Sequence, residues 1–252
     1  EPSSAGGPPS SRDVPRRRGL LREAGAWEAG CSWQRGAAAV LRRQRRITAG
    51  YPTFKPYASA LIEELAKAGI SAEVTWCGLC GSTALQMAEG LEEEFTMDLC
   101  GRTGQGLGRL LEDRGPFDVA IVMAGTNDLL DRAGAEETFQ SLRALHEGCH
   151  AKGVRSLAVG VPDFEERAMP SGQKAVRSRV CEQLSEWASK VGEEKCLFAD
   201  GAELLPYSPQ AAREGLWERD GLHFSPAGSA SFGHSLAASV LPALVGKASG
   251  AA

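Results

Sequence analysis

The sequence predicts an α/β protein, a parallel sheet covered by helices on both faces in three layers (α/β/α). Three observations predict it. Val119-Ala-Ile-Val-Met123 is a short unbroken apolar run, which fits a strand buried on both faces rather than one with a solvated side. Strand-like segments alternate with segments of helical period along most of the chain. The apolar run then stops at Gly125-Thr-Asn-Asp128, the kind of tight loop expected at the carboxyl edge, where open α/β sheets keep their chemistry.

In chain order, residues 1–46 stand apart. They hold ten Arg, no Lys and four acids, a charge of +6 that leaves −10 for the rest of a chain whose net charge is −4. Gly, Pro, Ser and Arg dominate the first 19 residues without apolar period, so a disordered or foreign leader is expected. The ordered domain is expected over 47–245, with a short tail at 246–252. Pro56 opens a helix whose apolar positions include Tyr57, Leu61, Ile62 and Leu65, and Gly69 closes it. Residues 72–76 read as a strand, and Ser82 as the cap of a helix reaching about residue 94. The Gly104-x-Gly106-x-Gly108 run lacks dinucleotide-binding spacing and reads as loop. After the central strand come a helix over 135–152, a strand over 156–160, a helix over 175–191 and a strand over 195–199. Ser225-Pro226 starts a last helix to Val245, which Gly233 and Pro242 are expected to bend or shorten.

Hydrophobic residues make up 42% and charged residues 24%, ordinary for a globular chain, and no stretch approaches the roughly 18 apolar residues of a membrane span. Seven cysteines, an odd number, argue against a complete disulfide framework and favour a reducing compartment such as the cytoplasm. The first residue is Glu, so organellar and secreted destinations stay open. The Arg-rich leader raises a nucleic-acid-binding arm as one alternative.

Two loops carry residues suited to acyl chemistry. The side-chain amide of Asn127 can donate to a developing oxyanion. In Trp217-Glu-Arg-Asp220-Gly-Leu-His223-Phe, Asp220 and His223 stand three apart, close enough for a carboxylate to orient an imidazole as general base. Trp217 and Phe224 beside them fit a packed core better than an acyl pocket, and His234 falls inside the last helix. Cys77-x-x-Cys80 and His146-x-x-Cys149-His150 have no standard zinc spacing, and neither metal nor cofactor is expected.

Gly125-Thr-Asn127-Asp128 and Asp220-Gly-Leu-His223 resemble the third and fifth sequence blocks of the SGNH/GDSL ester hydrolases, in the family's order. The resemblance covers about 47–245 and implies a flavodoxin-like three-layer fold with no metal requirement. It implies His223 as general base, Asp220 as its partner and Asn127 as an oxyanion-hole donor. Gly78-Leu-Cys-Gly81-Ser-Thr resembles the second block, which makes Gly81 the other oxyanion donor; Gly101-Arg-Thr103 is the alternative. The first block departs. Ile47-Thr-Ala-Gly50 matches the second half of the family's nucleophile motif, but Gln44-Arg45-Arg46 stands in place of Gly-Asp-Ser. Arg46 thus occupies the nucleophile position, and a guanidinium offers no nucleophilic oxygen. The apolar first strand is missing too, and residues 37–41 are the one candidate to fill its slot in the sheet; otherwise a gap is left.

The resemblance implies an ester hydrolase acting on acyl esters of sugars, lipids or small alcohols, impaired or inactive without its Ser. A non-catalytic ligand-binding module is the competing reading.

Overall fold

The computed structural model describes residues 37–43, 56–99, 101 and 103–245, with backbone alone for 37–43, 56, 76, 77 and 245. The leader before residue 37, Arg46 and the rest of 44–55, and the tail from 246 lie outside the described residues.

The elements alternate as expected. Strand β1 (Ala37–Arg43) is followed by helix α1 (Pro56–Lys67), β2 (Ala72–Gly78) and α2 (Ala84–Glu89). A two-stranded ribbon of β3 (Thr96–Met97) and β4 (Thr103–Gly104) leads to α3 (Leu107–Arg114). Then come β5 (Val119–Met123), the short α4 (Thr126–Leu130), α5 (Ala135–Ala151), β6 (Arg155–Val159), α6 (Gln173–Val191) and β7 (Cys196–Ala199). Two short helices, α7 (Gly201–Leu204) and α8 (Pro209–Arg213), precede α9 (Pro226–Val245).

The main sheet has the order β2-β1-β5-β6-β7. All five residues of β5 are buried, and successive ones serve opposite layers. Ala120 and Val122 join the core under α2, α3, α5 and α6, while Val119, Ile121 and Met123 join the one under α1 and α9. This two-sided burial is why the strand reads as an unbroken apolar run. The layer of α1 and α9 is fastened at its rim, where His234 Nδ1 lies 2.7 Å from Glu64 Oε1.

Residues 37–43 fill the first-strand slot, but in reverse. β5, β6 and β7 are parallel, whereas β1 is antiparallel to both of its neighbours. Its first residue, Ala37, lies opposite Gly78 and Met123, at the carboxyl ends of β2 and β5. Arg43 lies opposite Ala72, at the far edge. Either direction pairs the N–H and C=O groups that β2 and β5 would otherwise bury unpaired.

Three local expectations need correction. The cap of α2 is Thr83, not Ser82: its hydroxyl accepts from Gln86 N at 3.1 Å and Gln86 Oε1 accepts from Thr83 N at 3.0 Å. This helix ends at Glu89, where Gly90 stops it, rather than near residue 94. The glycine run is not all loop, since α3 starts directly after Gly106. Leu107, Leu110 and Leu111, spaced i, i+3, i+4, are its buried face. Helix α9 reaches Val245 as expected and is not cut short at Gly233 or Pro242.

Candidate active site

The loop leaving β5 places Asn127. Gly125 adopts φ +103°, and a Cβ there would stand 2.8 Å from Val161 Cγ2, so both the turn and the packing require glycine. Asn127 is buried, and its Nδ2 donates to the backbone carbonyl of Ser82 at 2.8 Å. A carbonyl only accepts, so this contact fixes which end of the amide carries the donors, and the amide has a second N–H to offer. The neighbouring carboxylate, Asp128, is also buried and accepts from Ala84 N at 2.7 Å. Burial raises its pKa, against the lowering effect of the backbone N–H groups of Ala84, Asp128 itself and Leu85. The β5 loop and the start of α2 are therefore joined by two buried side-chain contacts.

Gly81 lies in the loop between β2 and α2, one residue from Ser82. It has φ +80°, and a Cβ would meet Leu99 Cδ1 at 2.2 Å. The loop is tied to the β3–β4 ribbon, with Cys80 N donating to Asp98 Oδ2 at 3.2 Å and Leu99 N to Cys80 O at 3.0 Å. Gly101 takes φ +72° in the ribbon's turn, where Gly101 N donates to Asp98 O at 3.0 Å. Gly81 is the glycine adjoining the Asn127 contact.

The loop before α9 carries the other pair. Trp217 and Phe224 bridge as antiparallel partners, and Glu218 N donates to His223 O at 2.7 Å, closing the loop that holds residues 218–223. Asp220 Oδ1 accepts from Leu222 N and His223 N, each at 2.9 Å, while Oδ2 accepts from His223 Nδ1. With Nδ1 donating, Nε2 is the basic nitrogen of the ring. Desolvation works against the charge of Asp220, but the bonds from the His223 ring, His223 N and Leu222 N outweigh it and hold the carboxyl below its ordinary pKa. His223 is buried, and Glu165 N, beyond the carboxyl end of β6, donates to Gly221 O at 2.7 Å. Trp217 and Phe224 are core residues, edge to face at 4.8 Å, with Tyr207 and Phe232 beside them.

Direct contacts thus bring Asp220 to His223 and Asn127 to the Gly81 loop; Arg46 lies outside the described residues. Sequence reasoning passed over Asp128 and Asp98, the carboxylates that pin the loops carrying Asn127 and Gly81. Asp128 was legible as part of its motif, whereas Asp98 had no local signal. A cavity of about 720 Å³ touches none of the candidates. It lies beyond the edge strand β7, with Arg177, Cys181, Phe198 and Asp200 among its lining, and Arg177 is spent on Asp200 and on the carbonyl of Val161. Among the described residues no group of three or more His, Cys, Asp or Glu is arranged to hold a metal ion.

The fold is a three-layer α/β/α one, with an Asp–His pair and an Asn on loops around the same sheet. The sequence profile of the GDSL-like Lipase/Acylhydrolase family matches residues 47–230, and the chain belongs to that family. Comparison with curated proteins found no significant match. Among solved structures, the chain is similar to an acetyl esterase holding an acetate ion, with TM-score 0.50, 15% identity, and coverage of 68% of this chain and 71% of that one. A carbohydrate esterase family 3 protein from Talaromyces cellulolyticus gives the same values, TM-score 0.50, 15% identity and coverage of 68% and 71%. A lipase/acylhydrolase from Enterococcus faecalis is 21% identical over 76% of this chain and 89% of its own, with TM-score 0.43. At 15% identity the likeness to the two esterases is one of fold.

Proposed function

We propose that this chain is an acyl-ester hydrolase scaffold whose base and oxyanion donors are intact and whose nucleophile is missing, so that hydrolysis by the chain as written is impaired. The observation that carries the first half is the double hold of Asp220 on His223. One carboxylate oxygen fixes the backbone of the loop and the other takes the ring N–H, the arrangement a general base needs to receive a proton at Nε2. Asn127 and the Gly81 loop supply donors for the tetrahedral oxyanion. The second half rests on the sequence Gln44-Arg45-Arg46 and on the direction of β1, whose end nearest the β5 loop is Ala37. Neither offers a Ser hydroxyl. Acyl esters of sugars, lipids or small alcohols are the substrate class, and an acetyl esterase and a carbohydrate esterase are among the proteins of similar fold.

The test is p-nitrophenyl acetate turnover by purified protein beside a His223→Ala variant. Equal rates are expected, because removing the nucleophile of a serine hydrolase costs about 10⁶ in kcat and leaves little for the base to assist. Clear His223-dependent turnover would show that another residue attacks, with Ser82 the first to replace, since Thr83 and not Ser82 caps α2.

A further inference from the structure

Resting on the oxyanion assignment of Gly81 above, we propose that Phe95, Met97 and Leu99 form an acyl-binding lip, so that the site takes esters with chains well beyond acetyl. Among the described residues, the large apolar side chains that stand exposed are Leu85, Phe95, Met97 and Leu99, all within one short stretch of chain. Phe95, Met97 and Leu99 are 66%, 64% and 80% exposed, and their odd-numbered spacing puts them on one face of the extended segment around β3. Asp98, between them, is 5% exposed and turns inward to hold Cys80 N. The segment is therefore anchored with its apolar face outward.

Its position identifies the occupant. The Leu99 side chain lies directly against the Cα of Gly81, as the 2.2 Å approach of a built Cβ to Leu99 Cδ1 shows. Gly81 is one residue from the carbonyl that holds the Asn127 amide. An ester carbonyl held by these donors would have its acyl chain within reach of Leu99, with Met97 and Phe95 continuing the same apolar face. Glu92, Glu93 and Glu94 precede the lip, an acidic run that favours a neutral ester over an anionic lipid surface.

The probes are N-methylacetamide and N-methyloctanamide, which carry the same carbonyl and are not ester substrates. Amide chemical shifts of the whole chain, with those of the Asn127 side chain, give the affinity and the location. Full burial of a methylene gives about fourfold in affinity, so half-coverage gives about twofold, or about sixtyfold over the added methylenes of the octanoyl chain. Shifts at 79–82 and 95–99 that grow with chain length are expected. The Phe95→Ser/Met97→Ser/Leu99→Ser variant, and Met97→Ser to a smaller degree, should flatten the length dependence, read as the ratio of octanamide to acetamide affinity within each protein. Length dependence that survives in the triple variant, or no binding of the octanamide, overturns the lip. So does a dimer in sedimentation velocity that the triple variant dissolves, which would make the patch an interface between copies. Failure of the oxyanion assignment reads differently: the octanamide would bind with no shift at the Asn127 side chain.

Discussion

Asp220 meets His223 twice, through its ring at Oδ2 and through its backbone N–H at Oδ1, the latter at 2.9 Å. The second contact makes the first a property of the loop rather than of a free rotamer, because the backbone N–H groups of Leu222 and His223 hold the carboxylate independently of the ring.

A low-field ring N–H resonance from His223 is therefore expected in the proton spectrum of the unmodified chain and should vanish in both Asp220→Ala and His223→Ala. The carboxyl's pKa is depressed, so its contribution to stability is present above the ordinary value of about 3.9 and is lost as pH falls through the lower folded value. The resonance should thus persist at about pH 4. Its loss well above that pH would contradict the assigned contact.

Asp128 supports the site from below. Asp128→Ala would remove the acceptor of the Ala84 amide at the first turn of α2, leaving a buried N–H unpaired. The expected cost is about 1–3 kcal/mol in urea unfolding. The shifts of Gly81 and of the Asn127 side chain should move too, since both ride on the loops this carboxylate joins. Unchanged stability and unchanged shifts would mean that the contact holds nothing.

What the sequence disclosed follows from how local each cause is. Residues 119–123 announced a two-faced strand because burial on both sides demands an unbroken apolar run. The Asp220/His223 loop was legible because its partners lie three residues apart. The ribbon holding Phe95, Met97 and Leu99 was not, since its anchor, Asp98 on Cys80 N, joins residues 18 apart. α3 was missed because glycines at 104, 106 and 108 lower helix propensity, although Leu107, Leu110 and Leu111 already had the right spacing. The direction of β1 could not be read at all, because the apolar pattern of a strand is the same in either direction.

His146 works against the fold as the pH falls. It is fully buried on α5, tilted against Trp187 at 5.6 Å, and neither ring nitrogen has a hydrogen-bond partner among the described residues. Burial first, and the nearby His150 after it, lower its pKa to about 3. A histidine with a depressed folded pKa contributes stability that is intact above its unfolded value of about 6.5 and is lost as pH falls below it. Between pH 7 and 5 the loss should be about 2 kcal/mol from this group alone. His146→Phe removes both the titration and the unpaired nitrogens, so its urea midpoint should vary less across that range and exceed the native chain's at pH 5. Parallel pH profiles for the two proteins would refute this.

Gly81→Ala should cost about 1–2 kcal/mol from the φ of +80° alone, before Leu99 is displaced. In urea unfolding this variant should be less stable than Gly101→Ala, which has a similar φ of +72° but open space where its Cβ would lie. Equal effects would mean that the Leu99 contact is slack.

The direction of β1 governs what would restore catalysis. The strand from Ala37 to Arg43 spans about 20 Å, and its far end is the one that leads toward residues 44–46. A Ser placed three residues past Arg43 reaches back at most about 11 Å and cannot come level with Ala37, where the β5 loop begins. Replacing Gln44-Arg45-Arg46 by Gly-Asp-Ser within the present strand should therefore leave p-nitrophenyl acetate turnover unchanged. Replacing residues 37–43 as well, by an apolar strand long enough to enter from the opposite edge and run parallel to β5, would bring the new Ser out beside the Gly81 and Asn127 loops. That variant should show turnover that His223→Ala abolishes, a recovery bounded by the roughly 10⁶ in kcat that a nucleophile contributes. Hydrogen exchange gives an independent reading, because β5 should stay protected when β1 is rebuilt and lose protection at residues 121–123 when 1–43 are deleted. Activity from the Gly-Asp-Ser replacement alone would mean that the strand reverses once its neighbouring motif is restored.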